Sequence, residues 1–220
     1  MRIFYLCVLL LANGCAALAQ TLPEVRFEFN DPTRTPAHWA LRFHPDGSGD
    51  FHAERGSAPA GERVLVGGDL ARDLQLNPAF AATVFTVARR HHLFQQKCDS
   101  GRKLAFTGEK KLIYRGPEGE GSCAYNYSDD KEIQQLGDTL QAVAETLLAS
   151  ARIELLIQHD RLGVDAELEA LANAVADGRA RQLVVIRPLL ERISQDEELM
   201  ERVRRRARSL LARVDANPAQ

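Results

Sequence analysis

The residues best equipped for chemistry lie in the segment HWALRFHPDGSGDFHAER, where His38, His44 and His52 alternate with Arg42, Asp50 and Glu54. Imidazoles beside carboxylates could move protons at neutral pH or ligate a metal. A shared metal fails on reach, because six residues of strand separate His38 from His44 by roughly 20 Å. The catalytic candidate is therefore His44, Asp50 and His52, a hydrolase-type set on the polar face of a hairpin. The competing reading pairs His52 with Arg42 or Glu54 across strands on a wet sheet face. A calcium loop does not fit: setting Gly49 as its invariant glycine puts His44 first and Arg55 twelfth, where carboxylates are needed. No cofactor or metal is expected.

Cys98 and Cys123 are the cysteines outside the N-terminal leader, and they predict a disulfide closing a 25-residue loop. Neither a C-x-x-C redox couple nor a Cys/His metal cluster surrounds them. Between them, residues 116–121 (GPEGEG) read as a flexible acidic loop, and Glu118 and Glu120 are the candidate binding residues. The loop lacks the lysine and following helix of a phosphate cradle. His91-His92 read as the cationic end of a helix, and Arg202, Arg204, Arg205, Arg206 and Arg208 as a helix face balanced by Asp196, Glu197 and Glu198. No G-x-S-x-G, H-E-x-x-H or G-x-G-x-x-G occurs in the sequence.

The leader MRIFYLCVLLLANGCAALAQ has a basic n-region, an apolar stretch of about ten residues and an Ala17-Leu18-Ala19 cleavage site. It predicts a signal peptide over 1–19 and export to the periplasm or medium; the variant reading is a lipid anchor at Cys15. About ten apolar residues fall short of the roughly 20 that cross a bilayer, and no transmembrane segment is expected elsewhere. A formal charge of −2 gives no electrostatic reason for nucleic acid binding.

Several elements must position these residues. Alternation makes residues 24–30 a strand and 38–54 a hairpin, with Trp39, Leu41, Phe43, Phe51 and Ala53 on one face. A further strand is expected near 63–66. Asn77-Pro78 starts a helix over 78–91, bearing Phe80, Val84, Val87 and Ala88. LAF (104–106) and KLIYR (111–115) predict a second hairpin about Thr107–Lys110, and 122–127 a strand with Cys123, Tyr125 and Tyr127 on one face. From Asp129, paired with Glu132 as a capping box, the period turns helical through Ile133, Leu136, Leu140, Val143 and Leu147. A bend is expected near Ser150-Ala151. Three helices follow: one capped by Asp165, one over 180–193 that Pro188 kinks or delays, and one capped by Ser194 and Glu197. Trp39, Phe27, Phe29, Phe43, Phe51, Phe80 and Leu112 are the expected core.

The fold class is thus α+β: an antiparallel sheet with covering helices, followed by a C-terminal helical bundle. The division is a disulfide-stapled domain over 20–150 and a helical region over 151–216. Trp39, Leu41, Phe43, Asp46-Gly47-Ser48-Gly49, Phe51 and Tyr114 resemble the hairpin layout of small exported bacterial sheet-plus-helix domains of unknown function, which implies no activity. ELMERVRRRARSLL, within 164–214, is similar to a HEAT-type helical pair, which implies protein binding. The expected function is a non-enzymatic exported interaction module with a protein partner. The hydrolase on His44, Asp50 and His52 stands as the alternative, and an inhibitor presenting the 116–121 loop as a third reading.

Overall fold

A computed structural model describes residues 22–54, 69–103 and 105–217. The expected leader with Cys15, the strand expected at 63–66 and Leu104 lie outside the described residues. Six strands form one antiparallel sheet: β1 (Glu24–Asn30), β2 (His38–Phe43), β3 (Ser48–Glu54), β4 (Leu70–Gln75), β5 (Glu109–Gly116) and β6 (Gly119–Tyr125), in the order β4-β3-β2-β1-β5-β6. Register places the apolar alternation of neighbouring strands on one face. Phe27 opposes Leu41 and Leu112, Leu41 opposes Phe51, and Leu112 opposes Cys123. These side chains are buried, with Phe29 and Trp39 stacked at one end, ring centroids 5.3 Å apart.

Two helices cover that face. In α1 (Pro78–Arg90), Asn77 caps the start by accepting from the amides of Ala79 and Phe80. Phe85 then meets Phe43 and Tyr114 edge-on, both at 6.1 Å. The expected Phe80 lies only half buried at the rim, because the helix turns Phe85 inward. In α2 (Lys131–His159), Ile133, Leu136, Leu140, Val143 and Leu147 are buried as their spacing predicts. Its cap is Asp130, one residue beyond the expected Asp129, which pairs instead with Arg102 at 2.9 Å. The bend expected at Ser150-Ala151 is absent: the helix runs through it, with Ser150 Oγ donating to the Leu147 carbonyl.

The second hairpin is displaced from its expected position. Residues 105–108 are not strand, and the hairpin joins β5 to β6 through Pro117-Glu118 alone. Gly119, the first residue after the turn, has φ 132°, a conformation that glycine adopts without steric cost. The GPEGEG run is thus a tight turn plus the start of a strand, and Tyr127 lies beyond the strand and is exposed.

The C-terminal helices are α3 (Gly163–Ala176), α4 (Arg187–Gln195) and α5 (Glu201–Ala216). Pro188 delays α4, which follows a short 3-10 turn over Leu183–Ile186. Asp165 does not cap α3, whose N-cap is Leu162, and Ser194 ends in α4 rather than capping α5, whose N-cap is Met200. The apolar core divides along α2: residues up to Leu148 join the sheet cluster, and those from Ala149 join a cluster with α3, α4 and α5. The helical bundle is also tied to the sheet layer by polar bonds. Gln182 accepts from the Asn77 amide at 2.9 Å, Thr146 Oγ1 donates to the Arg181 carbonyl at 2.7 Å, and Arg72 of β4 pairs with Glu154 of α2.

Candidate functional site

The helices cover the apolar face of the sheet; its other face carries the polar half of every strand's alternation. Register sets the side chains there in rows across the sheet. One row runs Asp73, Asp50, Arg42, Arg26 and Ile113; the next runs Ala71, His52, Ala40, Glu28 and Lys111. Opposite charges meet across strands. Arg42 holds Asp50 at 2.5 and 2.7 Å and reaches Glu24 at 3.7 Å, while Glu28 joins Arg26 (2.8 Å) to Lys111 (3.9 Å). The Asp50 carboxylate, first, and Glu24 hold the Arg42 guanidinium above its ordinary pKa. Because Ala40 and Ala71 are short among long neighbours, a depression of about 470 Å³ opens over them, walled by Arg26, Arg42, His38, His52 and Glu54.

The three catalytic candidates are only partly brought together. His52 Nε2 lies 3.2 Å from Asp50 Oδ1, while the other oxygen of that carboxylate is held by Arg42. His44 sits beyond the end of β2, where its Nδ1 donates to the Pro23 carbonyl at 2.9 Å. His52 opposes Ala40, four residues along from His44, so the two imidazoles are roughly 13 Å apart at the usual strand rise. His38 pairs with Glu54 at 3.4 Å. Among the described residues no group of three or more His, Cys, Asp and Glu side chains is placed to hold a metal ion.

Glu118 and Glu120 part company. Glu118, in the two-residue turn, is clamped by Arg89 of α1 through contacts of 2.7 to 2.9 Å, which hold its carboxyl below the usual range. Glu120 lies opposite Arg115 on the polar sheet face and is exposed. The face therefore extends to β6, a feature the loop reading concealed. Period-two alternation carried across 109–125 is the signal that reveals it.

Cys98 and Cys123 form a disulfide, Cα atoms 5.6 Å apart. It fastens residues 92–100 over the outer edge of β6. There Gln95 donates to the Glu120 carbonyl, Asp99 accepts from the Asn126 amide at 3.1 Å, and Ser100 N–H donates to the Tyr127 carbonyl at 2.9 Å. His91 is held between Glu132 (2.7 Å) and Asp130 (3.3 Å), joining the end of α1 to the start of α2.

Four of the five named α5 arginines meet other carboxylates than expected. Arg202 and Arg206 reach Asp165 at 2.8 and 3.5 Å, and Arg204 and Arg208 reach Glu201 at 2.7 and 2.5 Å. Glu198 pairs with Arg161. Among the described residues no helix is long and apolar enough to cross a membrane. No protein-family model matches the chain, and no curated protein matches it either.

Proposed function

We propose that this chain is an exported, non-enzymatic protein-binding module whose polar sheet face is the docking surface. The leader pattern and the disulfide support export, since disulfides persist in oxidising compartments. The carrying observation is the face itself, with charges of both signs fixed in rows around a depression over Ala40 and Ala71. Six strands about 4.8 Å apart, six to eight residues long, give a surface about 25 Å by 20 Å, the scale of a small protein interface. Fixed alternating charge favours one partner pattern and rejects others by like-charge contact.

The test is affinity capture by tagged residues 20–220 from the envelope and medium of producing cells, with wild type beside an Arg42→Asp/Asp50→Arg swap. The swap keeps a cross-strand ion pair while reversing its direction. A stoichiometric partner bound at least tenfold more weakly by the swap supports the proposal; equal binding removes the sheet face from it.

One observation favours the hydrolase reading, the 3.2 Å contact of His52 with Asp50. Under it, His52→Ala loses hydrolysis of ester or amide substrates at unchanged melting temperature. A variant matching wild type in every such assay excludes it.

A further inference from the structure

A second concavity lies on the opposite side of the sheet, where α2 leaves the strands to join the helical bundle. It is a groove of about 430 Å³, with Phe29, Trp39 and the 34–36 segment on one wall and α2 residues 141–152 on the other. Three guanidiniums, Arg34, Arg152 and Arg179, line it against one carboxylate, Glu145. The other carboxylates that hold these arginines, Asp31, Glu167 and Asp177, are not among the residues lining the groove.

The arginines differ in how they are held. Arg34 and Arg179 pair with acids beside them in sequence, Asp31 at 3.1 Å and Asp177 at 2.9 Å, and their side chains are 61% and 63% exposed. The Arg179–Asp177 pair is exposed on both sides, weak, and readily given up to a better acceptor, whereas Arg34 holds the buried Asp31 carboxylate through Nε, which leaves its Nη groups for a ligand. Arg152 is fixed, its Nε on Glu167 and its Nη2 on Glu145, both at 2.8 Å, which leaves Nη1 for another acceptor. On the opposite wall the stacked Phe29 and Trp39 rings form an apolar floor. Thr35 adds a hydroxyl oxygen that is buried with no hydrogen-bond partner among the described residues, and a χ1 rotation would offer it to a ligand.

We infer that this groove binds a small organic anion, a carboxylate or phosphate carried on a flat apolar body. The body lies along the Phe29–Trp39 edge, and the anionic group takes a bond from Arg152 and closes Arg34 and Arg179 over it, as planar guanidiniums suit both anions. The site is independent of the polar sheet face.

Trp39 is the sole tryptophan of the chain, so its emission reports on the groove directly. The probes are benzoate, phenyl phosphate and, as neutral control, benzyl alcohol, titrated through the millimolar range into wild type and an Arg34→Gln/Arg179→Gln variant. The expected result is a saturable change in Trp39 emission with an anion but not with the alcohol, and at least tenfold weaker binding by the variant. Saturation with benzoate alone assigns a carboxylate ligand, and with phenyl phosphate alone a phosphate. Absence of saturation with both anions, an equal response to benzyl alcohol, or variant binding within twofold of wild type overturns the inference. Arg179→Gln removes only an exposed pair, while Arg34→Gln leaves the buried Asp31 carboxylate its Thr33 hydrogen bonds and should lower the melting temperature modestly; a cooperative melt above the titration temperature confirms that the variant is folded.

Discussion

At the scale of single residues, Gly137 shows how tightly the helix layer seats on the sheet. A Cβ there would fall 2.0 Å from Tyr125 Oη, which donates at 3.1 Å to the Ile133 carbonyl one helical turn away. Glycine to alanine in an open helix stabilises by about 1 kcal/mol. Here Gly137→Ala should instead destabilise by about 1–3 kcal/mol, because helix or tyrosine must shift; urea unfolding gives the sign. Lys110 lies beside it, buried, with Nζ 5.7 Å from the Tyr125 ring centroid and 3.3 Å from the Asn126 carbonyl. Burial, the largest influence, lowers its ammonium below the ordinary 10.5. The unfolded chain then binds more protons between the lowered folded value and 10.5, so stability rises with pH across that window. Lys110→Met should abolish this alkaline rise and stabilise the protein at neutral pH, as read by denaturant titration at several pH values. Asp31 works in the opposite range. Thr33 hydrogen bonds, with Arg34, lower its carboxyl, so its contribution is present above the ordinary 3.8 and is lost as pH falls through the folded value. Asp31→Asn should flatten that acid limb.

At the scale of elements, the Cys98–Cys123 bridge has a local task besides constraining the unfolded chain. Three consecutive non-glycine residues, His92, Leu93 and Phe94, have φ of 51°, 56° and 66°, a left-handed turn that β-carbon sterics disfavour. Phe94 is fully buried, and the Leu93 carbonyl comes so near β6 that a Cβ on Gly121 would lie 2.2 Å from it. The bridge, the buried ring and that glycine together hold a cover over a strand edge that would otherwise invite pairing. Cys98→Ala/Cys123→Ala should lose about 3.5 kcal/mol by loop-closure entropy. Amide exchange should accelerate in 92–100 and β6 more than in β1 or β2; a uniform change would deny the covering role.

This segment also shows where sequence reading stops. The β2–β3 hairpin was legible because the large apolar residues Trp39, Leu41 and Phe43 recur at every second position and Pro45–Gly49 spells a turn. The second half of β6 was read as strand from residue 122, but its start was hidden because Gly119 at the turn and Gly121 under Leu93 resemble a loop in one dimension. β4 was hidden by Arg72, which occupies an inward register position opposite Phe51 and is balanced by Glu154, eighty-two residues away. Half of the candidate face was readable from the hairpin alone. Alternation in 24–30 and across 109–125 marks Glu28, Lys111 and Glu120 as polar-face positions, but joining them into one face needed strand pairings that no local pattern encodes. Of the expected caps Asn77 holds, whereas Asp129 pairs with Arg102, Asp165 is recruited by Arg202 and Arg206 of α5, and Ser194 lies inside α4.

At the scale of the molecule, α2 is the member that both apolar clusters share, sheet-side through Leu148 and bundle-side from Ala149. A continuous helix should couple the two. Melting followed by Trp39 emission, in the sheet, and by far-ultraviolet helical signal should coincide in the wild type. Ser150→Pro removes an intrahelical bond midway and costs about 3 kcal/mol or more; it should separate the two curves. Coincident curves in the variant would mean that the polar ties through Gln182, Thr146 and Arg72 suffice. Among the described residues the same arrangement leaves one sheet face without a covering helix while the bundle packs to the other side, and the proposed docking surface rests on that asymmetry. Its most direct measurement is histidine modification by diethyl pyrocarbonate, read by mass spectrometry, on the free protein and with the captured partner bound. His52, whose side chain is 60% exposed on the polar face, should be protected by the partner, while exposed His92 at the end of α1 should react as before. Unchanged labelling of His52 in the complex would contradict docking on the sheet face.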